Sequence, residues 1–195
     1  LKLPYSFRDH QEETVESIKS ALAKRNHIVL ESPTGSGKTF TSLAAALPFA
    51  QKNDMKIVYC VRTNSQQKQV IHELQQFKKS GNQIKAIAVQ GREALCPQQK
   101  YDGELKKSNW SEKSKICKTL KIQSKMGEVG CQFYRQLVRG GQTLTKKWSS
   151  EILTAQEFAK QAEEANICPY ELNKLMLKEA QVVIVPYVYF FEEFI

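Results

Sequence analysis

The sequence predicts an α/β fold in which a parallel sheet carries helices and is interrupted by a long inserted segment. Short apolar runs alternate with helix-like stretches through residues 1–90, a pattern typical of parallel sheets with right-handed crossovers. A glycine-rich turn joins the first apolar run to the stretch that follows it. The alternation stops over 91–170 and resumes at 171–195. We therefore expect a partial sheet domain, 1–90 with 171–195, and an inserted domain, 91–170.

The elements before the insert follow from their apolar patterns. The run at 27–31 is short and rich in β-branched residues, which indicates a strand, and the helix after the turn is expected to end near Pro48. A second strand is predicted at 56–61. Ser65 is the expected cap of the next helix, in which apolar residues recur at helical spacing until Gly81 ends it.

The pattern weakens inside the insert and returns after it. A third strand is predicted at 84–89, and only weak helical patches, such as 133–138, interrupt the polar, Lys-rich stretch beyond it. After the insert we expect a short helix over 170–176. A fourth strand follows at 181–185, and it is apolar on both faces.

Positive charge is concentrated in the insert. The chain has a formal net charge of +9, and residues 92–147 contain 13 Lys/Arg against 5 Asp/Glu. A localised basic segment indicates a polyanionic partner, usually nucleic acid, although a solvated surface explains it about equally well. No apolar run approaches the roughly 20 residues of a membrane span, so we expect no membrane insertion.

Residues 32–39, Ser-Pro-Thr-Gly-Ser-Gly-Lys-Thr, match the second half of the G-x-x-x-x-G-K-[ST] phosphate loop, with Ser32 in place of its first glycine. The two glycines allow backbone N–H groups to turn toward phosphate oxygens, and the helix N-terminus adds partial positive charge. Lys38 is expected to reach the β- and γ-phosphates, and the Thr39 hydroxyl to ligate Mg²⁺. A turn that binds nothing is the less expected alternative. The predicted nucleotide-binding residues of the loop are Gly35, Ser36, Gly37, Lys38 and Thr39, and the last two are the predicted catalytic ones.

The insert holds four of the five cysteines, namely Cys96, Cys117, Cys131 and Cys168, with 20, 13 and 36 residues between them. An odd total argues against a fully paired secreted framework. No C-x-x-C pair is present, so the spacing alone leaves free or buried thiols as an equal alternative to a metal site. Confinement to an insert with few large apolar residues favours a metal, because such a segment needs a cross-link to fold. Iron and zinc both remain open on this reasoning.

Several short motifs resemble those of superfamily 2 helicases. The loop at 32–39 resembles motif I, and Tyr5-Ser6-Phe7-Arg8-Asp9-His10-Gln11 resembles the segment in which a glutamine reads adenine. Arg62-Thr63, after the second strand, looks like motif Ia, which contacts the nucleic-acid backbone. The resemblance implies that Gln11 binds the base, that Arg8 or Tyr5 stacks on it, and that Arg62 and Thr63 contact DNA phosphates.

The short sequence motifs around the cysteines are more specific than the spacing between the cysteines. Arg-Glu-Ala-Leu-Cys at 92–96, Cys-Gln-Phe-Tyr at 131–134 and Cys-Pro-Tyr at 168–170 resemble the iron–sulfur insert of XPD-family helicases. The resemblance covers nearly the whole chain, and the compact insert is most like that of archaeal members. It implies a P-loop (RecA-like) partial parallel sheet with an inserted iron–sulfur cluster domain, in which the four insert cysteines ligate a [4Fe–4S] cluster and Cys60 does not.

The same resemblance implies roles for the residues next to the cysteines. Arg92 would stabilise the cluster thiolates or contact a phosphate. Phe133, Tyr134 and Tyr170 would contact single-stranded DNA beside the Lys-rich surface, or else form the small core of the insert; for Phe133 and Tyr134 the core role is slightly favoured.

As a whole, the resemblance implies the N-terminal part of a monomeric, ATP-dependent 5′-to-3′ DNA helicase. It would act on single-stranded DNA and forks with repair-complex proteins, for example in nucleotide excision repair, in the cytoplasm or, in a eukaryote, the nucleus. The family's DEAH box is absent here, and Glu192-Glu193 is a poor substitute. We therefore expect these residues alone to bind nucleotide weakly without hydrolysing it. A zinc-stapled module that binds nucleotide and nucleic acid without unwinding, and a P-loop kinase with a basic insert, are the alternatives.

Overall fold

The computed structural model describes residues 1–191, except for the side chains at 141–144, 146–147 and 190. Within this range the chain forms two compact units. The first unit is Leu1–Ala86 with the segment that starts at Ala180, and the second unit is Ile87–Glu179. The predicted pair Glu192-Glu193 lies outside the described residues. No helix in the described part of the chain is long and apolar enough to cross a bilayer.

The first unit is an α/β structure, as the sequence predicts. Its helices and strands are α1 (Gln11–Ala23), α2 (Lys38–Lys52), β1 (Ile57–Val61), α3 (Asn64–Lys79) and β3 (Val182–Pro186), with a 3-10 turn at Tyr187–Phe190. Strand β2 (Ala86–Ala88) begins at Ala86, the residue at which the stretch 1–86 of this unit ends. The strand order is β1–β3–β2, and β1 runs parallel to β3 with Ile57 opposite Val182 and Val61 opposite Pro186.

The apolar patterns explain these elements. Strand β3 is buried from Val182 to Val185, as expected for a central strand covered on both faces. One face of α3 is buried through Val70, Ile71, Leu74 and Phe77. The Phe77 ring stacks on that of Phe40 of α2 with centroids 5.7 Å apart. These contacts fix α2, and therefore the turn before it, against the rest of the first unit.

The structure corrects four predictions about the first unit. Residues 27–31 are not a strand: Val29 is 97% exposed, and the described residues provide no neighbouring strand to pair with this segment. Pro48 lies inside α2, because a helix can continue past a proline at the cost of one backbone hydrogen bond. The cap of α3 is Thr63, whose hydroxyl accepts from Gln66 N in a reciprocal capping box, and not Ser65. The third strand, 86–88, is shorter than 84–89.

The second unit is almost wholly helical, where the sequence indicated only weak patches. Its elements are α4 (Arg92–Leu95), a 3-10 turn (Pro97–Lys100), α5 (Gly103–Lys107), α6 (Trp110–Met126), α7 (Gln132–Trp148), α8 (Ala155–Glu164) and α9 (Pro169–Met176). Capping boxes begin α6 at Asn109 and α8 at Thr154, and Gly127 ends α6 at φ +83°. The caps carried more information than the apolar pattern, because the lysines of α6 obscure its buried face.

Candidate functional site

The phosphate loop is closed on itself by the side chain of Lys38. Gly35 and Gly37 have φ of +82° and +83°, a region that L-residues with a Cβ rarely occupy. Lys38 Nζ donates to the carbonyl oxygens of Ser32 and Pro33 over 2.8 and 2.7 Å. The Ser32 and Ser36 hydroxyls lie 2.6 Å apart. The ammonium group of Lys38 is thus held over the loop by two carbonyl oxygens, which phosphate oxygens can replace.

Gln11 is attached to this loop directly. Its side chain is buried; Nε2 donates to Ser36 O over 2.8 Å, and Oε1 accepts from Arg8 N over 3.0 Å. A Cβ at Gly37 would lie only 2.5 Å from Gln11 Nε2, so a side chain there would displace the Gln11 amide from the loop. One N–H and one lone pair of the Gln11 amide remain for a ligand. Gln11 therefore links the N-terminal segment to the turn as well as facing the cleft.

A cleft of about 900 Å³ lies over the loop in the first unit. It is lined by Tyr5, Arg8, Gln11, Lys38, Thr39 and Glu73, among others. The Tyr5 ring contacts Phe40 edge-on with centroids 5.5 Å apart, and Arg8 is exposed. The cleft brings together the predicted phosphate-binding and base-binding residues of the sequence.

Sequence reasoning did not identify Glu73. It projects from α3 toward this cleft, and its Oε2 is buried without a hydrogen-bond partner among the described residues. Burial raises the pKa of the Glu73 carboxyl above its usual range. A charged residue between apolar residues of an amphipathic helix is normally exposed, so the sequence did not indicate that Glu73 is partly buried.

Arg62 and Thr63 follow β1 at the start of α3, and both are exposed. The Thr63 hydroxyl accepts from Gln66 N over 3.2 Å, while Gln66 Oε1 accepts from Arg62 N over 2.8 Å. The capping box fixes the backbone at this point and leaves the Arg62 side chain facing solvent. The predicted contact with a nucleic-acid backbone is sterically open, and Thr63 has a structural task in addition.

All four insert cysteines line one small cavity of about 20 Å³ in the second unit. Cys96, Cys131 and Cys168 each stand at the N-cap of a helical turn, and Cys117 lies within α6. Backbone bonds hold these ends together: Cys168 N donates to Phe133 O over 3.0 Å. The cysteines that are far apart in sequence are therefore neighbours in space.

Burial and the neighbouring polar groups have opposite effects on the pKa values of the four thiols. Burial raises the pKa of all four thiols, and that of Cys168 reaches about 12. Backbone N–H groups of the first helical turns act in the other direction at the three N-cap thiols. Arg92 and Lys121 also lower the pKa of Cys117. Burial is the larger effect at all four thiols, and the helix ends and cations offset part of it.

Among the described residues, no three or more His, Cys, Asp or Glu side chains are grouped so that they could hold a metal ion. The four cysteines are grouped only as lining residues of the cavity. No disulfide joins them.

Cationic and aromatic side chains surround the same cavity. The Arg92 guanidinium lies 4.9 Å from the centroid of the Tyr170 ring, and its Nη1 donates to Ser114 Oγ over 2.8 Å. Lys174 Nζ lies 5.5 Å from the same ring. Tyr134 and Tyr170 are half-buried and remain reachable by a ligand.

The prediction that Phe133 contacts DNA is wrong for this structure. Its side chain is 1% exposed and packs against Cys131 and Cys168. A ring enclosed in this way has no free face for a base. The core role that the sequence slightly favoured describes it, because Phe133 lies in the first turn of α7 and packs against Cys168 at the start of α9.

The DEAD_2 family model matches residues 59–195. Among curated proteins, "Regulator of telomere elongation helicase 1 homolog" of Caenorhabditis briggsae is 25% identical over 225 residues, which cover 97% of this chain and 21% of that protein. "Regulator of telomere elongation helicase 1" of Homo sapiens is 25% identical over 221 residues, covering 92% and 17%. A solved structure described as an XPD helicase is similar with a TM-score of 0.58 and 22% identity, over 96% of this chain and 29% of that one. The chain thus has the fold of part of that structure and spans about a fifth of the curated relatives' length.

Proposed function

The chain belongs to the DEAD_2 family, and from that membership we propose that it supplies the ATP-binding loop and a [4Fe–4S] insert to an ATP-dependent DNA helicase. One observation carries the proposal: the two loop glycines are at positive φ, and Lys38 Nζ is held by the carbonyls of Ser32 and Pro33. A loop prearranged in this way needs only to exchange carbonyl oxygens for phosphate oxygens to hold a nucleotide.

Five residues of the cleft have a proposed task toward ATP. Lys38 binds the β- and γ-phosphates, and the Thr39 hydroxyl binds Mg²⁺. Gln11 uses its remaining donor and acceptor on the base, and Arg8 or Tyr5 stacks on it. Magnesium would neutralise charge that develops on the phosphates. Because Gln11 also bonds the loop at Ser36 O, occupation of the base site is coupled to the loop conformation.

The arrangement of the cysteines supports a [4Fe–4S] cluster. A cluster holds each thiolate on a separate iron, so its ligands surround a volume, and these four cysteines line one cavity. Three of the thiols lie at helix N-termini, where backbone N–H groups carry partial positive charge. This charge stabilises the thiolate form that a cluster ligand takes. When bound, the cluster would cross-link helices of a unit with few large apolar residues.

DNA contacts are proposed at Arg62 and Thr63 of the first unit and at Arg92, Tyr134 and Tyr170 of the second. Movement from 5′ to 3′ on single strands, action at forks and a role in DNA repair are proposed on the resemblance of the sequence motifs. The likeness to archaeal members rests on the compact insert.

The test uses the full-length protein with ATP and a 5′-tailed duplex, with a 3′-tailed duplex as the directional control. We expect unwinding of the first substrate only, and its loss in Lys38→Ala. Lys52→Ala removes an exposed lysine from the other end of α2 and should unwind as the wild type does. Nucleotide binding without unwinding would contradict the helicase proposal, and unwinding by Lys38→Ala would contradict the role of the loop.

A further inference from the structure

One partly buried ion pair in the second unit connects two of the helices that carry the cysteines. Lys121 Nζ lies 2.8 Å from Glu171 Oε1, and the side chains are 26% and 16% exposed. Lys121 follows Cys117 by one turn of α6, and Glu171 lies in the first turn of α9, which Cys168 caps. The pair therefore joins two ligand-bearing helices one turn away from each thiol.

Lys121 also reaches a third of these helices. Its Nζ lies 5.7 Å from the centroid of the Tyr134 ring, in the first turn of α7 after Cys131. Lys121 itself lines the cysteine cavity. A single ammonium group thus contacts elements that carry three of the four thiols, and charge effects of the pair are felt at Cys117 and Cys168.

A partly buried ion pair is weak evidence for stability, because desolvation offsets much of the attraction. The exposed pair Lys100–Glu163, with its lysine 64% exposed, shows that this unit also forms ordinary surface ion pairs. Placement of a compensated charge pair beside four thiols has a different consequence. An ammonium group near an anionic cluster stabilises its more negative, reduced state, and a carboxylate opposes reduction.

We propose that Lys121 and Glu171 form a positioning pair that holds α6, α7 and α9 around the cluster site and sets the reduction potential of the cluster. This inference rests on the proposed [4Fe–4S] cluster. Loss of Lys121 leaves the Glu171 carboxylate uncompensated beside the thiolates, which disfavours reduction. Loss of the Glu171 charge leaves the ammonium group free, which favours it. The two single substitutions therefore shift the potential in opposite directions, and the double substitution largely cancels the shift.

The experiment is an anaerobic potentiometric titration of the full-length protein, with iron release to a chelator as a second readout. Lys121→Met should lower the equilibrium constant for one-electron reduction about tenfold, which is about 59 mV, and Glu171→Gln should raise it by a similar factor. Both single variants should release iron faster than the wild type. Lys121→Met with Glu171→Gln should return the potential toward the wild-type value.

Two kinds of control complete the design. Lys121→Arg keeps the charge and should behave as the wild type, which separates the charge from a folding defect. Lys100→Met and Glu163→Gln break a 2.6 Å ion pair of the same unit whose residues do not line the cysteine cavity, and should leave the potential unchanged. Shifts of the same sign in both Lys121→Met and Glu171→Gln, or equal shifts in the controls, would overturn the proposal. A wild type that unwinds DNA but holds no iron would overturn the cluster and this inference together, while leaving the ATP-binding proposal intact.

Discussion

Replacement of Gly130 by alanine is expected to disrupt the cysteine site more than the same replacement at Gly103 or Gly127. Gly130 lies between α6 and α7, directly before Cys131. A Cβ there would meet Leu120 O, Ser124 Oγ and Ser124 N, the last at 2.6 Å. Real Cβ atoms essentially never approach other atoms that closely, and two of the three are backbone atoms of α6 that cannot rotate away.

The cost follows from these contacts. Overpacking of a close contact typically costs about 1–3 kcal/mol. Ser124 Oγ also bonds Leu120 O over 2.8 Å and Cys131 O over 3.2 Å, and loss of one such bond adds about 1 kcal/mol. We expect a total of about 3 kcal/mol, which lowers Tm by roughly 6–12 °C for a chain of this length. Because Cys131 must move with its neighbour, we also expect loss of bound metal.

Two other glycines of the same unit provide matched controls in the thermal unfolding assay. Gly103 has nothing within 4 Å of an added Cβ and an ordinary backbone conformation, so Gly103→Ala should change stability by less than about 0.5 kcal/mol. Gly127 also has open space but has φ +83°, so Gly127→Ala should cost about 1 kcal/mol. If Gly130→Ala melts with Gly103→Ala, the reasoning from the α6–α7 contact is refuted.

Three further predictions concern the first unit. Gly37→Ala should destabilise the chain by about 1 kcal/mol more than Gly35→Ala in denaturant unfolding. Both glycines have positive φ, but only a Cβ at Gly37 meets Gln11 Nε2 and breaks the bond of Gln11 to the loop. Equal effects of the two substitutions would contradict this prediction. Thr63→Ala removes the capping box of α3 and should cost about 1 kcal/mol by the same assay, while an unchanged midpoint would show that the box contributes nothing. Burial raises the pKa of the Glu73 carboxyl above 4.5, so ionisation at higher pH costs the folded state stability; Glu73→Gln should raise Tm at pH 7, and the gain should vanish below pH 4.5. A gain that is independent of pH would contradict this cause.

The sequence predicted the elements whose burial is decided locally. The helical spacing of Val70 and Leu74 predicts the apolar face of α3, and the unbroken apolar run Val182–Val185 predicts the strand β3, buried on both faces. The structure confirms both. Residues 27–31 have the composition of a buried strand as well. A strand, however, exists only when a neighbour accepts its hydrogen bonds, and pairing is a property of the fold that composition does not carry.

The second unit was harder to predict for a related reason. Lysine side chains such as Lys121 place long apolar stems against the interior, but in a sequence their charge indicates an exposed position. The spacing of the buried positions of α6 is therefore hidden. The helix starts at Cys168 and at Cys96 did have a signal, because proline is favoured at the first helical position and follows both. The burial of Phe133 had only a weak signal, since an aromatic residue beside a cysteine is suited almost equally to a core and to contact with a base.

The four insert cysteines are proposed to form one iron–sulfur site, and the metal content of the protein tests this most directly. Protein purified without oxygen should be brown and contain about four irons and four sulfides per chain and no zinc. Cys131→Ser should lose them, whereas Cys60→Ser, which changes the exposed cysteine of β1, should keep them. A colourless wild type with one zinc ion, or equal loss of iron from both variants, would contradict the account.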